Sequence, residues 1–191
     1  LTTRHFQALT TAQLRALTTT QVRVVETDDL RILNTAQVQS LETDDLAALT
    51  TGQFASLTTA QVVALTTGQV VALTAAQVVA LTTAQAVALA TSQVAALTTT
   101  QVVALQTTDL QALTTAQLVA LSSTQVAALL PSQVAALTTQ QAQGLTSAQV
   151  VALLSSQVVS LETADLQVLT TVQIAAFETG DLRAFTSTCL L

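Results

Sequence analysis

The chain repeats an eight-residue unit without interruption, and this regularity limits its fold more than any other feature. When Leu1 is taken as position a of an octad abcdefgh, 23 complete octads reach residue 184 and seven residues follow. Position a is Leu except at Val25, Phe177 and Phe185, and position f is always apolar. Such strictness is typical of repeat arrays, in which each unit packs on its neighbours. We interpret residues 1–191 as a single uninterrupted array of 24 octads and, since it starts without Met and within the pattern, we expect a segment of a longer array.

A period of eight residues restricts the secondary structure. In one continuous α-helix with 3.6 residues per turn, position a would rotate by about 80° with every octad, and no apolar stripe would persist. In one β-strand, positions a and f would lie on opposite faces, although both are strictly apolar. Because Val and Thr favour strands, a β-solenoid stays open as the alternative fold.

A helix-start signal recurs in every octad. In LTTAQV at residues 57–62, Thr58 can cap a helix, Gln61 can complete a capping box, and Leu57 and Val62 can form a hydrophobic staple. Pro131 occupies position c, which is then the first helical position, where proline is well tolerated. The second Thr, at c, stays open as the alternative cap.

The sequence therefore predicts an all-α fold, a solenoid or superhelix of very short helices with one helix per octad. We expect about six or seven residues per helix and a bend at each Thr-Thr step; helices this short need neighbours to be stable. The number of octads per coil stays open.

Charge and hydropathy argue against nucleic-acid binding and against a membrane-spanning helix. Only 8% of residues are charged, the net charge is -6, and the five arginines lie near the two ends of the sequence. Nucleic-acid binding requires clustered basic residues, so we predict none. Polar residues interrupt every apolar run before it reaches the length of a membrane-spanning helix, so we predict no transmembrane segment.

Positions b and e vary together. Position e is Gln in seventeen octads and Asp in five, and each Asp is accompanied by Glu or Gln at b instead of the usual Thr. We infer that the b and e side chains touch. One interpretation is an exchanged capping arrangement; the other is calcium binding by oxygen ligands. The calcium candidates are Glu26, Asp29, Glu42, Asp45, Glu162, Asp165, Glu178 and Asp181.

Position g accepts both Arg and Val, for example Arg15, Arg23, Val63 and Val71. A position with this tolerance is expected at or near the surface. The middle of the array would then expose valines, which form either a lateral association face or a half-buried edge.

Residues suited to catalysis are scattered. His5 and Cys189 lie at opposite ends of the sequence, whereas nucleophilic catalysis needs its groups in one place and zinc needs three or four ligands. The four glycines form no phosphate-binding loop. We predict that the chain is not an enzyme and has no cofactor, with calcium as the one candidate.

Two resemblances bear on function. The segment LTTAQVVAL at 57–65 resembles the opening helix of TAL-effector DNA-binding repeats, but the chain lacks their second helix and base-reading loop, so the likeness implies only a helix start. All 24 octads resemble the Thr/Gln/Val/Leu-rich octad arrays of very large bacterial secreted or surface proteins, described as adhesin-like or haem-utilisation proteins. This second resemblance implies an extracellular or cell-surface structural role and transfers no functional residue.

We therefore expect a structural segment that forms a stalk, a fibre or a self-assembling filament. The alternative is a surface-binding module whose threonine rows at b and c contact a cell surface, glycan, ice or mineral. Calcium could stiffen either array.

Overall fold

The computed structural model describes residues 2–177 and residue 179, and this part of the chain is helical. It contains 22 short α-helices and no strand, which confirms the all-α prediction over the β-solenoid. By its internal contacts the chain divides into two compact units, Leu1–Leu97 and Thr98–Leu191, and each is described by itself.

The first unit contains twelve helices within its described residues. They are α1 (Thr3–Gln7), α2 (Thr11–Arg15), α3 (Thr19–Arg23), α4 (Thr27–Arg31), α5 (Thr35–Ser40), α6 (Thr43–Ala48), α7 (Thr51–Ser56), α8 (Thr59–Ala64), α9 (Thr67–Ala72), α10 (Ala75–Val79), α11 (Thr83–Ala88) and α12 (Thr91–Ala96).

The second unit contains ten helices as far as it is described. They are α13 (Thr99–Ala104), α14 (Thr107–Ala112), α15 (Thr115–Val119), α16 (Ser123–Ala128), α17 (Pro131–Ala135), α18 (Thr139–Gly144), α19 (Ser147–Val151), α20 (Ser155–Val158), α21 (Thr163–Val168) and α22 (Thr171–Ala176).

Each octad folds as a two-residue corner followed by a helix. Leu57 (φ -57°, ψ 142°) and Thr58 (φ -71°, ψ 157°) are extended, and helix α8 begins at Thr59. Position b is therefore the N-cap, and Pro131 starts α17 as predicted. The expected bend at the Thr-Thr step is present, since the backbone changes from extended at Thr58 to helical at Thr59. The described helices have four to six residues, so six of the predicted six or seven is confirmed as the upper length; seven does not fit, because positions a and b both belong to the corner.

Three octads make one coil. In the first unit α2 packs on α5, α5 on α8 and α8 on α11; in the second, α13 packs on α16, α16 on α19 and α19 on α22. Each helix thus lies beside the helix 24 residues further along. We use "coil" for such a set of three octads.

The core of each unit is built from positions f and a. Val62 has no exposed surface and Leu65 is 3% exposed, and the same two positions are buried throughout the middle of the array. Position f is the fourth helical residue and position a follows it by three residues, so both lie on one side of the helix. This burial stabilises helices that could not persist alone.

Candidate functional site: the inter-coil glutamine

The glutamine at position e starts its own helix. In α8 the Oε1 atom of Gln61 accepts a hydrogen bond from the backbone N–H of Thr58 at 2.8 Å. The Thr58 Oγ1 atom in turn accepts from the Gln61 backbone N–H at 3.2 Å. The predicted capping box is therefore present, and it satisfies two N–H groups that a helix start leaves without intrahelical partners.

The other end of the same amide reaches the preceding coil. The Nε2 atom of Gln61 donates to the carbonyl oxygens of Leu30 and Leu33, each at 2.8 Å. In the second unit Gln141 donates to Leu110 and Leu113 at the same distances. Leu30 and Leu110 lie in the last turns of α4 and α14, where carbonyls lack intrahelical donors. One glutamine therefore caps the start of its own helix and the end of a helix in the coil before.

This contact repeats at constant sequence spacing. The acceptors lie 28 and 30 or 31 residues before their glutamine, as with Gln93 to Val62 and Leu65, and Gln157 to Val126 and Leu129. These glutamines are 1–2% exposed. A buried amide is costly unless its donors and acceptors are paired, and here both ends are paired. The stack of helices is thus tied together by hydrogen bonds as well as by its apolar core.

In the first three octads the glutamines at position e cap their own helices but are exposed. Gln13 and Gln21 keep their capping boxes, with Thr10 N to Gln13 Oε1 and Thr18 N to Gln21 Oε1 both at 2.9 Å, yet both side chains are exposed. His5 replaces glutamine at e, and its Nδ1 atom accepts from the Thr2 backbone N–H at 3.1 Å. His5 thus takes the place of the glutamine in the cap of α1. Cys189 lies outside the described residues.

The inferred contact between the b and e side chains is confirmed in Thr/Gln octads. The Oγ1–H of Thr10 donates to Gln13 Oε1 at 3.1 Å, and that of Thr170 donates to Gln173 Oε1 at 3.0 Å. The hydroxyl groups of these threonines at position b are therefore engaged in hydrogen bonds within their own octads. The exposed threonines at position c are not part of these capping pairs.

The Asp octads change the chemistry of the cap, and helices α4 and α6 begin without a capping box. The backbone N–H of Glu162 donates to Asp165 Oδ2 at 3.4 Å, and neither Glu162 nor Glu42 makes a side-chain cap bond. An ionised carboxylate has no N–H or O–H to donate, so it cannot form the glutamine's bonds to the preceding coil. The exchange of Gln for Asp therefore removes one inter-coil tie.

Burial controls the ionisation of two of these carboxyls. Asp45 and Asp165 are 3% and 2% exposed. Burial raises the pKa of Asp45 above its ordinary 3.8, and the neighbouring Glu42 and Asp44 carboxylates raise it further. Burial also raises the pKa of Asp165, partly offset by the hydrogen bond from the Glu162 backbone, and the Glu162 carboxylate adds to the increase.

The acidic pairs proposed for calcium lie on separate helices. Glu26/Asp29, Glu42/Asp45 and Glu162/Asp165 begin α4, α6 and α21, none of which packs against another. Among the described residues no group of three or more His, Cys, Asp or Glu side chains could hold a metal ion. Glu178 and Asp181 lie outside the described part of the chain. Calcium binding by these pairs stays a prediction.

Position g lies at the surface, as predicted. Val63, Val71, Val79 and Val87 are 41–48% exposed. Val63 and Val87 lie on the neighbouring helices α8 and α11, whereas Val71 and Val79 lie on other sides of the coil. The arginines at g reach neighbouring coils instead: Arg15 Nε donates to the Ser40 carbonyl at 3.3 Å and lies 3.8 Å from Glu42 Oε1, and Arg23 Nε donates to the Ala48 carbonyl at 3.2 Å.

Sequence reasoning missed two features of the array. It assigned the glutamine only to the helix start, although the preference for Gln at a position where Glu would also complete a capping box was a signal of a second role for the amide. It also passed over Leu130 and Leu154, which occupy the capping position b and are 45% and 55% exposed.

The octads match a known repeat. A family model described as the ALTTAQ repeat matches residues 22–59, 38–75, 102–139 and 158–188, which together cover more than half of the chain. The chain belongs to the ALTTAQ repeat family. No similarity was found to a curated protein or to a solved structure. Within the described part of this ALTTAQ array, no helix has the length and apolar character needed to span a membrane.

Proposed function

We propose that this ALTTAQ array is a structural repeat segment of a bacterial extracellular or cell-surface protein, which extends a stalk, fibre or filament. The observation that carries the proposal is the repeated inter-coil contact. Each coil offers the next one the same carbonyl acceptors and apolar core that it takes from the coil before, as with Gln61 on Leu30 and Gln93 on Val62. Such an interface sets no limit on length, which suits a part that spans distance.

The surface chemistry agrees with this role. The long stretch from residue 46 to residue 108 contains no charged side chain, and the same is true of residues 110–161. An array with so little charge offers no site for charged substrates and does little to oppose self-association. We expect it to lack enzymatic activity and to need no cofactor.

An insertion experiment tests the structural role. A second copy of residues 58–81 is inserted after residue 81, which adds one coil in phase. The variant should keep its helical signal per residue, unfold at no lower temperature, and grow in its largest dimension by one coil, measured by circular dichroism and small-angle X-ray scattering.

The matched control carries the same insertion with four additional residues, which displaces positions a and f from the core. This control should lose stability. Equal loss of stability in the two insertions would contradict an array that can be lengthened by whole coils.

The proposed location has its own test. Antibodies against the array should label intact cells of the source organism, and labelling that requires lysis would refute surface exposure.

A row of exposed threonines favours one alternative function. Thr11, Thr35 and Thr59 are exposed at position c of α2, α5 and α8, which pack in sequence. This row could bind a glycan, a cell surface or ice. Replacing all three with Ala should abolish such binding in glycan-binding and ice-recrystallisation assays; if the unchanged array has no effect in either assay, this function is excluded.

A further inference from the structure

Three backbone carbonyls of one coil converge on the glutamine of the next. The Nε2 atom of Gln93 lies 2.9 Å from the carbonyl oxygen of Val62, 3.2 Å from that of Val63 and 2.8 Å from that of Leu65. Gln133 meets the same positions f, g and a at 3.0, 3.2 and 2.8 Å. We call these three carbonyls the carbonyl cradle. Oxygens that surround one point can receive either a hydrogen-bond donor or a cation.

An aspartate at position e leaves the cradle without the glutamine donor. The glutamine spacing of 31, 30 and 28 residues places the carbonyls of Val134, Ala135 and Leu137 opposite Asp165. Helix α21, which carries Asp165, packs against α18, which begins just after this cradle. For Asp45 on α6 the same spacing gives Leu14, Arg15 and Leu17. Among the described residues no hydrogen bond reaches the Leu17 or Leu137 carbonyl.

The aspartates opposite these cradles are buried acceptors. Asp45 is 3% exposed and Asp165 is 2% exposed. Within the described part of the chain the Asp45 carboxylate has no hydrogen bond and no ion pair, and Asp165 accepts only the 3.4 Å bond from the Glu162 backbone. A buried carboxylate that faces carbonyl oxygens requires a positive partner or a proton.

Position b supplies a further oxygen in the same octads. Whenever position e is Asp, position b carries Glu or Gln, and both reach further than Thr. Glu42 and Glu162 make no side-chain cap bond. An exchanged cap therefore does not account for the longer side chain at b, whereas a metal ligand does, because Glu and Gln both end in an oxygen that can bind a cation.

This set of oxygens suits calcium. Each site offers carboxylate oxygens from positions e and b together with the three oxygens of the carbonyl cradle. Calcium takes about six to eight oxygen ligands of this mixed kind at roughly 2.3–2.6 Å. Aspartate is one methylene shorter than glutamine, so it leaves room for an ion between its carboxylate and the cradle. Magnesium releases its water molecules less readily and requires a stricter octahedral geometry, so it fits this site less well.

The charges near the two sites favour a cation. Arg15 Nε lies 3.8 Å from Glu42 Oε1 and offsets part of the negative charge beside Asp45. The described residues of the second unit contain no Arg, Lys or His, so no basic side chain there offsets Glu162 and Asp165. We therefore expect tighter binding of a cation at Asp165 than at Asp45.

We propose that Asp45 and Asp165 are ligands of two inter-coil calcium sites, each completed by the glutamate at position b and by the carbonyl cradle of the preceding coil. The bound ion takes the place of the glutamine amide as the tie between two coils. It adds stability to an array that folds without it. These sites do not depend on the stalk, fibre or filament role proposed above.

Calcium binding by the full chain at neutral pH tests these sites. Equilibrium dialysis against calcium chloride should give dissociation constants on the order of 0.1–1 mM, as in extracellular calcium modules. Asp45→Asn together with Asp165→Asn should lower the number of bound ions by two. Calcium should raise the melting temperature of the unchanged chain by at least about 2 °C relative to chelator, because the ion binds the folded state. This increase should be smaller in the double variant.

Two further variants serve as controls. Asp44→Asn removes the same charge from an exposed carboxylate beside Asp45 and should leave the number of bound ions unchanged. Glu162→Thr with Asp165→Gln restores the glutamine tie and should remove one ion without loss of stability.

Three results would overturn the proposed sites. They are the absence of calcium binding up to about 10 mM, an equal loss of ions in Asp44→Asn and Asp45→Asn, and equally tight binding of magnesium, which indicates diffuse attraction to acidic side chains. A chain that binds no calcium but passes the coil-insertion test would refute these sites and leave the structural role standing.

Discussion

At the scale of single residues, the side chain at position e decides whether a helix is tied to the coil before it. Glutamine suits this position because one planar amide carries an acceptor for its own helix start and donors for the preceding coil. Aspartate supplies the acceptor alone, and it is buried as deeply as the glutamines. An ionised Asp at this position therefore gives the array one inter-coil contact fewer, and burial raises the pKa of two of these carboxyls, Asp45 and Asp165.

The raised pKa values of Asp45 and Asp165 predict a more stable array in acid. The folded state holds these protons more tightly than the unfolded state, so their contribution favours folding fully below the ordinary pKa of 3.8 and is lost as the pH rises through the raised values. Thermal unfolding between neutral pH and pH near 4 should show a midpoint that increases as the pH falls. Asp45→Asn with Asp165→Asn should flatten this dependence; a midpoint that falls in acid in the unchanged chain would contradict it.

Converting one Asp octad to the usual pair should stabilise the second unit. With Glu162→Thr and Asp165→Gln, the constant spacing of 31 and 28 residues directs the new amide to the carbonyls of Val134 and Leu137. Two buried hydrogen bonds are worth about 1–2 kcal/mol in the free energy of unfolding. Each single change should gain less than half of this, because the two side chains touch. Strict additivity in this double-mutant cycle, measured by denaturant unfolding, would argue against the contact.

At the scale of the element, a helix of four to six residues exists because its start is capped and its apolar face is buried. The sequence was sufficient to predict this much: Thr, Gln and the apolar f position recur at the spacing of a capping box and a staple, and Pro131 marks the first helical residue. It was not sufficient to locate the corner, because Thr at b and Thr at c are chemically identical. Only the extended backbone at both Leu57 and Thr58 shows which one caps the helix.

Proline substitutions test the helix boundaries. Thr59 and Val63 are both exposed residues of α8, at its first and fifth positions. Thr59→Pro should change the free energy of unfolding by less than about 1 kcal/mol, because the first helical N–H has no intrahelical partner. Val63→Pro should cost about 3 kcal/mol or more, because it removes a helical hydrogen bond and clashes with the preceding turn. Similar costs at the two sites would place the helix start elsewhere.

At the scale of the whole molecule, each unit is a stack of coils in which the fourth helix lies beside the first. The octad pattern could not predict that three octads make one coil, because every octad carries the same signals. The number of octads per coil depends on the backbone angles at the corners, and no residue differs between octads in a way that marks where a coil is complete. The inter-coil role of glutamine was hidden for the same reason: its acceptors are backbone carbonyls, which every residue has. The placement of Leu130 and Leu154 on neighbouring helices was equally hidden, since it depends on the three-octad coil.

The most direct test of this account is the free energy of unfolding of Gln61→Glu compared with Gln13→Glu. Both changes keep the Oε1-type acceptor of the capping box, but at Gln61 a carboxylate replaces the donor that faces the carbonyls of Leu30 and Leu33. We predict a loss of about 3–5 kcal/mol at Gln61. At the exposed Gln13 we predict a change of at most about 1 kcal/mol. Equal effects at the two positions would show that glutamine serves only its own helix and would contradict the inter-coil tie.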